Sequence, residues 1–186
     1  MSASKRFPFL AAMAPVVEGI KVGDPLDEST QMGPLISAGR RESVASFVPD
    51  DAPVAIRGTA PEGDGYWFAP VVLAPVTNED RAAREEIFGP VVSVIPFSGE
   101  AEAIRLANAT IYGLSGSVWT RDGARALRVA RAIETGVISI NSNSSVRVST
   151  PFGGFKQSGV GRELGPDALE HYTELKNVYY ATAEAP

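Results

Sequence analysis

From Val91 onward the chain alternates between apolar runs and helical periodicity, and this alternation constrains the fold more than any other feature. Val91-Val92-Ser93-Val94-Ile95-Pro96-Phe97 reads as a largely apolar strand. A helix follows from about Glu100 to Asn108, a strand from Gly113 to Thr120, a helix from Gly123 to Ile133 and a strand from Gly136 to Asn141. Strands separated by helix-length segments pair in parallel, because a parallel neighbour needs a long crossover. The apolar strands imply burial on both faces. The expectation is an α/β fold with an open, mainly parallel sheet and flanking helices.

The first half is less regular. Residues from about Phe9 to Ile20 read as a helix with Leu10, Met13, Val17 and Ile20 on one face. Lys21 to Asp27 is rich in turn residues, and Gly33-Pro34 is a second break. Ser37 is a plausible N-cap for a helix running to about Val48. Short strands are expected at Val54-Ala55-Ile56 and Val71-Val72-Leu73, and a short charged helix near Glu79 to Glu86. Asp167 to His171 continues as a short helix. The segment from Tyr172 to Tyr180 alternates and is aromatic, which reads as an exposed or edge strand. The length of 186 residues suffices for one domain with a real core. The expected organisation is a main body over 1–171 and a C-terminal strand and tail over 172–186.

Composition then removes several functions. There is no cysteine among the 186 residues, which excludes disulfides, thiolate metal sites and a cysteine nucleophile within them. His171 is the one histidine, so a His-based metal centre or a Ser-His-Asp triad is poorly supplied. No metal site is expected. The net charge of -5 comes without a Lys/Arg cluster, which gives a nucleic-acid or anionic-membrane partner no electrostatic support. No apolar run reaches membrane-spanning length. The N-terminal stretch from Met1 to Pro15 has a basic start and some apolar residues, but Pro8, Pro15 and Glu18 argue against a signal peptide. A cytoplasmic protein is expected.

Two segments carry the candidate chemistry. In Glu85-Glu86-Ile87-Phe88-Gly89-Pro90-Val91, Gly89-Pro90 imposes a turn between a short helix and a strand. Open α/β folds gather ligand sites at such turns. A carboxylate there can accept hydrogen bonds from ribose hydroxyls, and an aromatic ring can pack on a flat heterocycle. On pattern alone, Glu85 and Glu86 read as a solvated helix end and Phe88 as core. The second segment runs from Asn141 to Gly165. Its glycines form neither a G-x-G-x-x-G fingerprint nor a phosphate loop. They read as places where the loop folds tightly against other backbone, anchored by Phe152 and Phe155.

These segments resemble signatures of the NAD(P)-dependent aldehyde dehydrogenases. The resemblance rests on Glu85 to Val91, on Gly136-Val137-Ile138-Ser139-Ile140-Asn141, and on Pro151-Phe152-Gly153-Gly154-Phe155-Lys156-Gln157-Ser158-Gly159 continuing to Gly165. Val22 to Asp27 and Met32 to Ile36 match a segment that follows the nucleophile region in the family. The match spans about residues 8 to 180 in consistent order. It implies part of the catalytic domain, after the cysteine nucleophile, plus a terminal oligomerisation strand. It assigns Glu86 to the ribose and Phe88 to the nicotinamide side of NAD or NADP. It assigns Phe152 to the aromatic wall of the aldehyde tunnel. The loop from Ser142 to Thr150, which varies between family members, is polar here, and Arg147 within it reads as an exposed arginine.

The same resemblance defines what these residues do not supply. The family's dinucleotide-binding domain, its glutamate general base and its cysteine all lie upstream of the matched region. No catalytic residue transfers to this chain. The family reaction needs a thiolate to attack the aldehyde, and serine is no simple substitute because its hydroxyl is far less acidic. The expectation is therefore an aldehyde dehydrogenase relative, truncated and inactive alone, acting on an aldehyde only with a complementary chain. The alternative is a non-catalytic binding or assembly module that pairs with a full-length relative through the Tyr172 to Tyr180 strand. An uncovered sheet edge would promote self-association as a homo-oligomer.

Overall fold

The structure, a computed structural model, describes residues 3–144 and 146–182. Met1 and Ser2 of the signal-peptide reading, Ser145 of the polar loop and residues 183–186 of the tail lie outside the described residues. The chain divides into two compact units, Met1–Ala109 and Thr110–Pro186.

In the first unit, α1 (Ala3–Glu18) precedes α2 (Ala38–Ala45), β1 (Val54–Arg57), β2 (Val71–Leu73), α3 (Arg81–Arg84), β3 (Val91–Ser93) and α4 (Glu100–Asn108). The strands form one sheet in the order β1-β2-β3, with β1 antiparallel to β2 and β2 parallel to β3. As the middle strand, β2 is buried on both faces. Its alternating side chains feed two clusters. Val72 joins Ile56 and Val94 beneath Leu10, Met13 and Val17 of α1. Val71 and Leu73 join Val76 on the opposite face, with Phe68, Ala82 and Ile95 packed around them. The expected helical face of α1 is thus the one that meets the sheet. Ile20 lies beyond the end of the helix. Pro8 and Pro15 are both inside it.

The helix α2 begins where Ser37 caps it, its side-chain oxygen accepting the N–H of Arg40 at 3.1 Å. The apolar run after Pro90 gives a shorter strand than expected. β3 ends at Ser93, although Val94 still donates to Leu73 O at 2.9 Å. Pro96 has no N–H with which to extend the pairing.

In the second unit, β4 (Ser115–Val118) and β5 (Val137–Ile140) pair in parallel, and α5 (Gly123–Ala132) connects them and packs on both. Asp122 caps α5 by accepting the N–H of Arg125 at 3.0 Å. Two short 3-10 turns follow, Lys156–Ser158 and Pro166–Tyr172.

The class is α/β with parallel pairing and flanking helices, as expected. One expectation is corrected. Burial on both faces holds for β2, but β3, β4 and β5 contain no fully buried residue. Apolar content alone does not bury a strand; that requires a layer on each face. Residues 173–182 form no strand and pair with none among the described residues. Their alternation has no ladder partner there, and the side chains are exposed.

Candidate functional site

The turn at the end of α3 separates two adjacent carboxylates. Glu85 is engaged: its Oε2 accepts the Arg81 Nε–H at 2.9 Å. Arg81 also donates to Ser46 Oγ at 3.0 Å and lies 3.8 Å above the centre of the Phe47 ring. Glu86 is exposed, and its carboxylate makes no hydrogen bond or ion pair among the described residues. Both of its oxygens are open to a ligand's hydroxyl groups.

The next two residues differ in burial, and the core position falls to Ile87 rather than to Phe88. Ile87 is the buried one, packed with Val44 and Phe47. Phe88 is 71% exposed and has φ of +50°. It is therefore not core. A bulky aromatic in the left-handed region is an outlier that costs roughly 1–3 kcal/mol. Its neighbours maintain it. Ile87 is held in the cluster on one side, and on the other Gly89 brings its backbone onto Val44. A Cβ at Gly89 would stand 2.5 Å from Val44 Cγ2. With both flanks pinned to α2, the side chain between them is presented outward. The Arg40 guanidinium lies 5.9 Å from the Phe88 ring centroid.

Near this loop, Asp80 accepts the N–H of Thr77 at 2.6 Å and its hydroxyl at 2.7 Å. These bonds, the backbone one foremost, hold its carboxyl below the usual carboxylate range.

The second unit contains Phe152 and a cavity of about 360 Å³. Phe152 and Glu163 exchange backbone hydrogen bonds of 2.7 Å each, which closes the glycine-rich segment into a hairpin-like loop. Phe152, Leu114, Val160, Arg162, His171 and Tyr172 contribute to the cavity lining. The loop lies tightly on β4 and β5. Phe155 N donates to Gly113 O at 2.7 Å, and Gly113 N donates to Ser158 Oγ at 2.9 Å. Lys156 anchors it further, reaching Thr110 O at 3.1 Å and Glu134 at 2.7 Å. Gly136 is required by this docking, since a Cβ there would stand 1.8 Å from Gly153 O. The reading of these glycines as close-approach positions agrees with this geometry.

Sequence reasoning did not single out Arg162 or Lys156. Arg162 Nη1 donates to Gly154 O at 3.1 Å and to Gly161 O at 2.6 Å, and its backbone N–H donates to His171 Nε2 at 3.3 Å. A tight glycine turn leaves carbonyls without ladder partners, and a nearby arginine is the available signal for their satisfaction. Asn141 has φ of +53° and pairs with Thr120 backbone in both directions at 2.9 Å. Arg147 is spent on its own loop, donating to Ser144 Oγ and Val146 O at 3.1 Å each.

Glu86 and Phe88 share one loop of the first unit, and Phe152 belongs to the second. Among the described residues no group of three or more His, Cys, Asp and Glu side chains is gathered to hold a metal ion. No described helix is long and apolar enough to cross a membrane. The first loop offers a free carboxylate beside a presented aromatic ring, which suits a sugar hydroxyl and a flat heterocycle rather than bond-making chemistry.

This fold and these loops belong to a known class. The sequence model of the aldehyde dehydrogenase family matches residues 3–178, and the chain belongs to that family. Among its relatives, betaine aldehyde dehydrogenase 1 of Rhizobium meliloti (strain 1021) is 47% identical over 188 residues, covering 96% of this chain and 39% of the relative. Geranial dehydrogenase of Castellaniella defragrans is 44% identical over 172 residues, covering 90% of this chain and 36% of the relative. A crystal structure of betaine aldehyde dehydrogenase from Staphylococcus aureus in complex with NAD+ superposes with a TM-score of 0.85 at 40% identity. It is matched over 92% of this chain and 35% of its own. The chain thus spans less than two fifths of the length of these relatives.

Proposed function

We propose that this chain supplies cofactor-contacting residues from its first unit and an aldehyde-contacting residue from its second to an NAD(P)-dependent aldehyde dehydrogenase, and that the nucleophile comes from outside these 186 residues. The carrying observation is the presentation of Phe88, with φ of +50°, two residues after Glu86, whose carboxylate has no partner among the described residues. Loop strain of this kind is retained where it serves a ligand. Glu86 would accept the ribose hydroxyls, and Phe88 would pack on the nicotinamide side. Phe152 would line the path of the aldehyde. When bound, NAD+ or NADP+ supplies the hydride acceptor. The protein groups proposed here bind and orient; none of them attacks the aldehyde. The betaine aldehyde and geranial dehydrogenases among the relatives support an aldehyde substrate. A cytoplasmic setting belongs to the same proposal.

The test is to supply the purified chain with NAD+ or NADP+ and either betaine aldehyde or geranial, following cofactor reduction. No turnover is expected from the chain alone. Adding a polypeptide that carries the family's dinucleotide-binding domain and cysteine nucleophile should produce turnover, and Glu86→Ala should raise the cofactor KM of that mixture. Robust turnover by the chain alone overturns the proposal.

A second reading is an assembly module. Leu175, Val178, Tyr179 and Tyr180 are exposed on a segment with no strand partner among the described residues. They suit addition to the sheet edge of a second copy or of a full-length relative.

A further inference from the structure

The loop that presents Phe88 rests on one face of α2. Val44 meets Ile87 and Gly89 there. Arg40 precedes Val44 by four residues, so the two side chains lie on the same face of the helix. The Arg40 guanidinium sits 5.9 Å from the Phe88 ring centroid. Arg40 is half-buried and has no acidic partner among the described residues. Burial does not fix the ring, since Phe88 is mostly exposed. The neighbours Ile87 and Gly89 fix the backbone, but they do not select a side-chain rotamer. The guanidinium is the cation placed to do so.

We propose that Arg40 is the positioning residue for Phe88. It covers one side of the ring by a cation–π contact and leaves the other side for a flat heterocycle. This rests on the reading of Phe88 as the nicotinamide contact. A planar guanidinium stacks on an aromatic face as an ammonium does not, so lysine should substitute only in part. At an exposed site such a contact is worth about 0.5–1 kcal/mol, or roughly a two- to fivefold change in an equilibrium constant.

The experiment uses the full chain with its phenylalanine rings labelled for NMR, and oxidised nicotinamide mononucleotide as the probe. In Arg40→Met the Phe88 ring signals should move to solvent-averaged positions while those of Phe47 and Phe68 stay in place, which reports an intact core. Arg40→Lys should lie between. The mononucleotide should move the Phe88 signals of the unsubstituted chain and bind roughly two- to fivefold more weakly to Arg40→Met. Unchanged Phe88 signals in Arg40→Met, with the core intact, overturn the positioning role. If Arg40→Met releases the ring but the probe moves nothing even in the unsubstituted chain, the positioning role stands and the cofactor reading falls. Should Arg40→Met disturb Phe47 and Phe68 as well, Arg40→Gln replaces it, and a Phe88 ring left unmoved there also overturns the proposal.

Discussion

Gly89 and Val44 approach so closely that a Cβ on the glycine would stand 2.5 Å from Val44 Cγ2. The contact explains why a glycine occupies this place: any side chain would drive the loop off α2 and take Phe88 with it. Gly89→Ala should destabilise the chain by about 1–3 kcal/mol, the range for overpacking a close-packed site. Val44→Ala should also destabilise, by opening a cavity. Combined, the two should cost less than the sum of the single changes, because the methyl added at position 89 fills space that the Val44 methyls vacate. Urea unfolding of the four variants checks this, and strict additivity would contradict the contact.

Gly136 lies even closer to its neighbour. A Cβ there meets Gly153 O at 1.8 Å, and backbone cannot yield as a side-chain tip does. Gly136→Ala should detach the glycine-rich loop from β5. Amide exchange at Phe155 should accelerate, since its hydrogen bond to Gly113 O depends on that docking. Protection equal to that of the unsubstituted chain would show that the loop is held elsewhere.

Ser37 caps the helix that bears both Arg40 and Val44. Ser37→Ala should cost about 1 kcal/mol, and Ser37→Asp should cost little, as both serine and aspartate serve as N-caps. Thermal unfolding provides the comparison. If alanine and aspartate behave alike, the cap contributes nothing.

Acid should weaken the chain through a small set of carboxylates. Asp80 and Asp122 titrate below the ordinary 3.8 because backbone N–H groups, of Thr77 and Arg125 respectively, donate to their ionised forms. Asp27 is likewise depressed, chiefly by hydrogen bonds from Ser29. Each folded-state value lies below its unfolded value. The associated stability is therefore fully present above the unfolded value and declines as pH falls through the folded one. The melting temperature should fall as pH drops below about 4, the unfolded aspartate range. Asp122→Asn, which keeps a capping oxygen but does not titrate, should flatten that decline. An equally steep decline would remove Asp122 from the explanation.

The exposed tail should make the chain associate. Leu175, Val178, Tyr179 and Tyr180 expose apolar surface that water disfavours. Sedimentation at rising concentration should show a growing mean mass, and serine at these four positions should reduce it. A mass that does not change with concentration would argue against the tail as an interface.

Much of this protein is written locally in its residues. The α4 bounds, the β2 run and the Ser37 cap follow from propensity, alternation and capping, which depend only on near neighbours along the chain. The family motifs are equally legible, because they are strings of residues. The absence of cysteine from these 186 residues needs no coordinates either. Tertiary structure decided the rest. It placed Ile87 inside and Phe88 outside, a choice between two adjacent apolar residues that pattern cannot make. It gave Glu85 to Arg81 and left Glu86 with no partner among the described residues. It set Arg40 beside Phe88, residues 48 positions apart in sequence. It also left β3 and β5 only partly covered, though both are largely apolar. The physical reason is common to all four. Which side chain is buried, paired or presented depends on what another segment brings to it, and that partner is distant along the chain.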